Sequence, residues 1–328
     1  MASSGSNPTP DVVLNLRSVK GSPVTWQEID DNFSNLAKAI IQYSTPPLPT
    51  TGLFYGGYHL EQLNTLTLIN KNGSLIQPES NIGTPRSALA GSSAGLNALF
   101  YGGYDNTTNI TNLTMVNIVG NLLGTESNIG AYSRCYLGGA NIGNNALFYG
   151  GWANNYQNIL TIIDNTGTLL GSELQIGTPR EDITGANIGN NALFYGGWTD
   201  NGNNNTVTII AGDGTLVQTE TKVGTARDYP VATTINGNVL IYSGYGNCNL
   251  NSLFWISPTG TSIGIEANLG TARADAVGAS INNQGLYYSG DLGNGDTNIV
   301  TIIDGNSTLV LVESMIGTPR TDAGAASL

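Results

Sequence analysis

A block of about 47 residues repeats six times, and each copy carries one kernel: a hydrophobic-aromatic run, two small residues, then an aromatic or polar one. The kernels begin at Leu53 (LFYGGY), Leu99, Leu147, Leu193, Leu240 (LIYSGY) and Leu286 (LYYSGD), spaced 46 to 48 residues apart. A fixed period of this size means one supersecondary unit copied along the chain, hence a closed β-propeller or an open solenoid. Within a repeat, short β-rich runs are bounded by Gly, Asn, Asp and Pro clusters. In the third copy these are the small-residue run from Arg180 to Ile188, the ALFYGG run, Ile159 to Ile163 in its neighbour, and Thr168 to Leu170 before a glutamate. Four such runs predict a four-stranded antiparallel blade.

The ends of the repeat region select the closed ring. It opens at Leu53 on what is the second strand of every other copy and ends on a first strand alone, 320–328. Pairing the two completes the first blade and removes the sheet edges that an open stack must cap. The expectation is therefore an all-β, six-bladed propeller over 53–328 with 320–328 as its latch. Five residues after each repeated arginine stand Gly91, Gly139, Gly185, Ala232, Gly278 and Ala325. Only small side chains suit an innermost strand close to the axis of a small ring.

The hydrophobic run with Gly-Gly, followed by Pro85-Arg86, Pro179-Arg180 or Pro319-Arg320 before the next inner strand, resembles the kelch repeat and galactose-oxidase-type propellers. The resemblance covers 53–328 and implies the fold; kelch-like propellers serve enzymes, adaptors and adhesins, so it implies no single activity. Where that family spaces a tryptophan in the later strands, this chain has a Leu or Val run and a glutamate.

The first 45 residues differ in kind. Thr25 and Glu28 form a capping box, and Trp26, Ile29, Phe33, Leu36, Ala37 and Ile40 recur at helical spacing. An amphipathic helix over about 25–42 is expected, then a proline-rich linker over 46–52. The run from Leu14 to Phe33 is similar to the N-terminal attachment segment of many bacteriophage tail-fibre and virion proteins. That resemblance implies attachment to other virion subunits, and the helix leaves a homotrimer open. Charged residues make up 10% of the chain against roughly 25% in an average globular protein. With no basic-apolar leader and no 18-residue apolar span, the expected setting is a virion assembled in the host cytoplasm, without signal peptide or membrane insertion.

The net charge of −12 excludes nucleic acid as a natural partner, because no basic stripe exists to meet a phosphate backbone. One glutamate and one arginine recur per repeat: Glu79 and Arg86, Glu126 and Arg134, Glu173 and Arg180, Glu220 and Arg227, Glu266 and Arg273, Glu313 and Arg320. Copies retained in every unit point to packing, through ion pairs or bonds to loop carbonyls, rather than to an anion site. Two residues after the arginines come Ala88, Tyr136, Asp182, Tyr229, Asp275 and Asp322. No cofactor is expected, although the three aspartates leave a bound Ca²⁺ as an alternative.

An enzyme is not expected. His59 is the single histidine, Cys135 and Cys248 are read as solitary thiols, and the Asp164 and Asp213 turns lack the tryptophan of sialidase Asp boxes. The loops after Gly-Gly differ most between copies and carry Tyr58, Tyr104, Trp152, Tyr156, Trp198, Asp200, Tyr245 and Asp291. Aromatic faces beside amides and carboxylates suit stacking on a sugar, and the alternative is inward packing. The function expected is a phage virion protein, a tail fibre or other fibre contacting a host receptor or glycan. A purely structural decoration protein and a glycan-active enzyme are the alternatives.

Overall fold

A computed structural model of the protein describes residues 49–328, with Asp30 and Phe33 alone before them. The helix expected over 25–42 and the attachment segment fall outside this described region. Among the described residues the strands form six four-stranded antiparallel sheets plus two short loop hairpins. Five sheets are continuous in sequence. Blade two, for instance, runs Ala90–Ala94, Asn97–Tyr101, Asn112–Asn117 and Ser127–Asn128 from the axis outward. Blade one is composite: Gly324–Ser327 pairs with Thr51–Tyr55, followed by Thr65–Asn70 and Ser80–Asn81. The ring thus closes as the terminal runs anticipate. Strand pairing starts at Thr51, so Thr51 and Gly52 belong to the blade and not to the proline-rich linker.

Two details depart from expectation for physical reasons. In every blade but the fifth, whose Ser262–Asn268 contains Glu266, the outermost strand follows the repeated glutamate: in blade three Leu174–Gln175, not Thr168 to Leu170, pairs with Ile159–Asp164, and Leu169 makes a lone bridge to Ile163. The glutamate must turn inward to reach its arginine, so regular pairing resumes only beyond it. Inner strands are also shorter than the runs after the arginines suggest. Thr184–Ile188 is strand, whereas Asp182 two residues after Arg180 takes φ 54°.

The small residues on the inner strands face one another around the axis. A Cβ on Gly139 would lie 2.1 Å from the Gly91 carbonyl oxygen, and one on Gly185 would lie 2.5 Å from that of Gly139. Close backbone approach, rather than chain flexibility, fixes these positions as glycine or alanine. The second Gly of each kernel is held likewise, since a Cβ on Gly197 would lie 2.1 Å from the Glu181 carbonyl. Its first Gly is replaced by Ser243 and Ser289 in blades five and six, both at positive φ with a buried hydroxyl lacking a partner.

Blades are joined by one repeated arrangement. Kernel tyrosines pack on an aromatic ring of the next blade, as in Tyr55 on Phe100, Tyr101 on Phe148 and Tyr149 on Phe194, with centroids 5.1–5.2 Å apart. A fully buried arginine then lies over the tyrosine: Arg86 is 5.3 Å from the Tyr55 ring centroid. Its guanidinium donates to the Phe100 carbonyl, to Thr114 Oγ1 and to Glu126. Glu126 also accepts from the Thr84 amide and hydroxyl. The ion pairs are Arg86–Glu126, Arg134–Glu173, Arg180–Glu220, Arg227–Glu266, Arg273–Glu313 and Arg320–Glu79. Five arginines therefore meet the glutamate about 40 residues ahead, across one blade, and Arg320 closes the ring on Glu79; none meets the glutamate seven or eight residues behind it.

Blade five shows how the arrangement tolerates substitution. Ile241 stands where the other kernels have an aromatic residue, and Phe254 of the third strand fills the gap, packing on Tyr195 at 5.4 Å. Phe254 occupies the position that holds the threonine elsewhere. The hydroxyl passes to Ser252, two residues earlier on the same strand face, which donates to Glu266 and accepts from Arg227.

Candidate functional site at the channel mouth

Every inner strand starts, and every second strand ends, on the same face of the disc. Antiparallel pairing therefore brings the post-Gly-Gly loops and the segments after the arginines together there. Paired backbone bonds lock them. Tyr104 and Ser87 exchange N–H···O bonds of 2.9 and 3.1 Å, and the same exchange joins Trp152 to Cys135, Trp198 to Glu181, Tyr245 to Asp228, Asp291 to Ala274 and Tyr58 to Thr321. The variable loop residues thus form a ring directly around the residues that line the axial channel.

That inner ring is Ala88, Tyr136, Asp182, Tyr229, Asp275 and Asp322, all six with left-handed φ between 48° and 58°. Such a conformation costs an L-residue roughly 1–2 kcal/mol, less for Asp. Its sixfold recurrence makes it a feature of the turn into the channel. Backbone bonds run from ring residue to ring residue over three junctions: Ala88 N to Asp322 O, Tyr136 N to Ala88 O, and Asp182 N to Tyr136 O. Tyr136 and Tyr229 meet edge to face at 6.3 Å.

The aspartates read from sequence as flanking the channel do line it. Among the described residues, however, no three acidic, His or Cys side chains converge in a geometry that could hold a metal ion, these three included. Two further acids were not singled out from the sequence: Glu181 and Asp228, directly after Arg180 and Arg227. Ser87, Cys135, Ala274 and Thr321 stand at the matching positions, so two acids in neighbouring blades were the available signal. Burial pushes Glu181 up to about 7. Burial, and then the Glu181 charge, pushes Asp228 up to about 7. Burial and then Asp296 raise Asp322 to about 6, and burial with the neighbouring carboxylates holds Asp182 and Asp275 well above the usual range.

The outer ring is half exposed. Tyr58, Tyr104, Trp198 and Tyr245 are 37–42% accessible, while Trp152 is less so and packs edge to face on Tyr156 at 5.1 Å. Asp200 is exposed at the tip of the Trp198–Thr199 and Gly202–Asn203 hairpin. Inward packing, the alternative considered for these aromatics, thus applies to none of the four. Loop-to-loop bonds hold the ring: Asn109 to the Trp152 carbonyl, Asn203 to that of Gly246, and Asn249 to that of Asp291, at 2.8–3.0 Å. His59 joins blade one to blade six through Asp296 at 2.9 Å, a contact that the sequence did not reveal. Cys135 is buried, its thiol pushed up to about 12 by burial and then by nearby carboxylates, while Cys248 is exposed and both are free. Among the described residues no helix is long and apolar enough to cross a membrane.

Opposing shifts elsewhere yield a pH signature. For Glu79, Glu126, Glu220, Glu266 and Glu313 burial alone would raise the pKa, but hydrogen bonds from threonine or serine hydroxyls and the arginine charge bring it below the ordinary value. Their stabilisation is present above the unfolded pKa and is lost as pH falls through the lower folded one. The channel acids act oppositely. Between about pH 4 and 7 the folded state holds more protons on them than the unfolded chain, so stability drops as pH rises through that window. Melting temperature should therefore climb as pH is lowered from about 8 to 5 and turn over below about 4. Asp182→Asn with Asp275→Asn should flatten the climb and keep the acid limb. A melting temperature that is level or falling from pH 8 to 5 in the native protein would refute it.

Compared with protein-family models and with curated proteins, the chain matches none.

Proposed function

We propose that the protein is a bacteriophage virion component, a tail fibre or related fibre, whose kelch-like propeller contacts a host-surface glycan or receptor with its channel-mouth face. In this reading the segment before the propeller attaches to other virion subunits, and no residue has a catalytic role. The ring of half-exposed Tyr58, Tyr104, Trp198 and Tyr245 carries it, because these aromatic faces stand beside Asp200, Asp291 and loop asparagines in a bonded frame. Rigid aromatic anchors with satisfied polar neighbours can bind without first ordering a loop. The composition, rich in Asn, Gly and Thr and poor in charge, suits a surface outside cells.

Trp198→Ala should lower host adsorption or glycan-array binding about 10- to 100-fold, in the range of about 1–3 kcal/mol, with melting temperature unchanged. Trp152→Ala should lower both, since its ring also packs on Tyr156. Adsorption indifferent to both changes would favour the second reading, a structural protein making subunit contacts. One observation supports that reading: Ile265, Val312 and Met315 stand on the outer rim of blades five and six, the first two over 90% exposed. Fluorogenic glycosides should stay uncleaved.

A further inference from the structure

Among the described residues, no lysine or arginine lines the axial channel, although Asp182, Asp275 and Asp322 do. Asp182 is only 8% exposed, and its Oδ1 has no hydrogen-bond partner. Asp275 Oδ1 is unpartnered as well, as is the Oδ1 of Asp228 behind Asp182. A buried carboxylate oxygen without a donor is costly, and beyond the proton that Asp228 shares with Asp182 the chain brings no donor to these oxygens. Below the carboxylates the channel narrows to the small axial residues Gly91, Gly139, Gly185, Ala232, Gly278 and Ala325, while Leu137 and Ile183 turn into the cores between blades. The channel space, open at its mouth, is about 120 Å³, well beyond the roughly 10–15 Å³ that one water needs.

We infer that the channel mouth is a binding site for a primary alkylammonium group, its head on Asp182 and Asp275 beside the edge-to-face Tyr136–Tyr229 pair and its hydrocarbon along the small-residue channel wall. An ammonium offers three donors and no acceptor, which matches separated carboxylate oxygens that do not converge as a metal requires. The two tyrosine rings, 6.3 Å apart, add the aromatic faces to which such cations are drawn. Burial and the neighbouring carboxylates raise the pKa of both aspartates, and an arriving cation should expel the protons they hold. Two sources share this chemistry, a lysine side chain of a partner and a free polyamine. The site does not depend on the outer aromatic ring and stands apart from the proposed glycan contact.

The test is calorimetric titration of the full-length protein at neutral pH with n-butylammonium chloride, Nα-acetyl-lysine N-methylamide and spermidine, with n-butanol and CaCl₂ as comparisons. Expected are saturable one-to-one binding of butylammonium, none of butanol, and heats that change with the buffer's ionisation enthalpy as protons leave. Asp182→Asn and Asp275→Asn should each weaken binding at least tenfold. Asparagine accepts the left-handed backbone at both positions, so the folds should survive, and Trp198→Ala should bind butylammonium as the native protein does. Tighter binding of the lysine amide would assign a protein partner, and of spermidine a free polyamine. The inference falls if butylammonium produces no saturable heat, if Asp182→Asn binds it equally well, or if CaCl₂ saturates a site that butylammonium cannot displace.

Discussion

Deleting 320–328 should abolish the cooperative unfolding transition of the propeller and leave a protein that aggregates when expressed alone. The deletion removes the inner strand Gly324–Ser327 and exposes the paired edge of Thr51–Tyr55, an unprotected row of backbone donors and acceptors. It also takes away Arg320, which donates to the Gly56 and Thr65 carbonyls, to Thr67 and to Glu79, leaving Glu79 without its counter-charge. Breaking one buried pair typically costs about 3–5 kcal/mol, and here an inner strand and two blade contacts go with it. A shorter deletion of 324–328, keeping Arg320, should be destabilised less while still losing closure. Circular dichroism melts and size-exclusion profiles would decide, and a truncated chain that melts as the full chain does would show that the latch strand contributes nothing to closure.

How much of this was legible beforehand follows from what repetition can and cannot carry. The six kernels and the unmatched first strand gave blade number and closure, because period and topology are properties of a pattern. The small residue five positions after each arginine gave the axial strand, since the same steric demand recurs in every copy. The pairing of arginines with glutamates was ambiguous at the level of spacing. Glu79 stands seven residues before Arg86, yet Arg86 meets Glu126, which sits just ahead of the outermost strand Ser127–Asn128 of blade two and turns in to the junction where Arg86 enters. The tyrosines under five of the guanidinium groups, and Phe254 under Arg227, were equally present in sequence, but a buried cation over a ring is visible only once two blades are packed.

The channel mouth was legible in part for the opposite reason, its irregularity. Asp182, Asp275 and Asp322 stood out because the matching positions hold Ala88, Tyr136 and Tyr229. Glu181 and Asp228 did not, since a single acid after a buried arginine reads as surface decoration until the loop folds it beside Asp182. The union of the aromatic loops with this ring depends on the backbone exchanges that pin each loop to the channel turn, and hydrogen-bond geometry leaves no mark in residue spacing.

Arg134→Ala should destabilise the propeller by about 3–5 kcal/mol, a fall of roughly 10 °C in melting temperature for a chain of this size. The Arg134–Glu173 pair is the most enclosed of the six, with the arginine fully buried and the glutamate side chain 4% exposed. Truncation leaves Glu173 charged and half-satisfied, still accepting from the Ala131 amide and Thr161, and it strips a donor from the Phe148 carbonyl. Lysine should not rescue, because a point charge cannot reach Glu173, Thr161 and the carbonyl together as the planar fork does. Arg134→Met with Glu173→Gln removes both charges and keeps the volume, so the double variant should be more stable than Arg134→Met alone, by about 2 kcal/mol. That recovery would assign the cost to an orphaned buried charge. A double variant no better than the single one would assign it instead to the arginine's stacking on Tyr101 and its carbonyl bond, which the double variant also lacks.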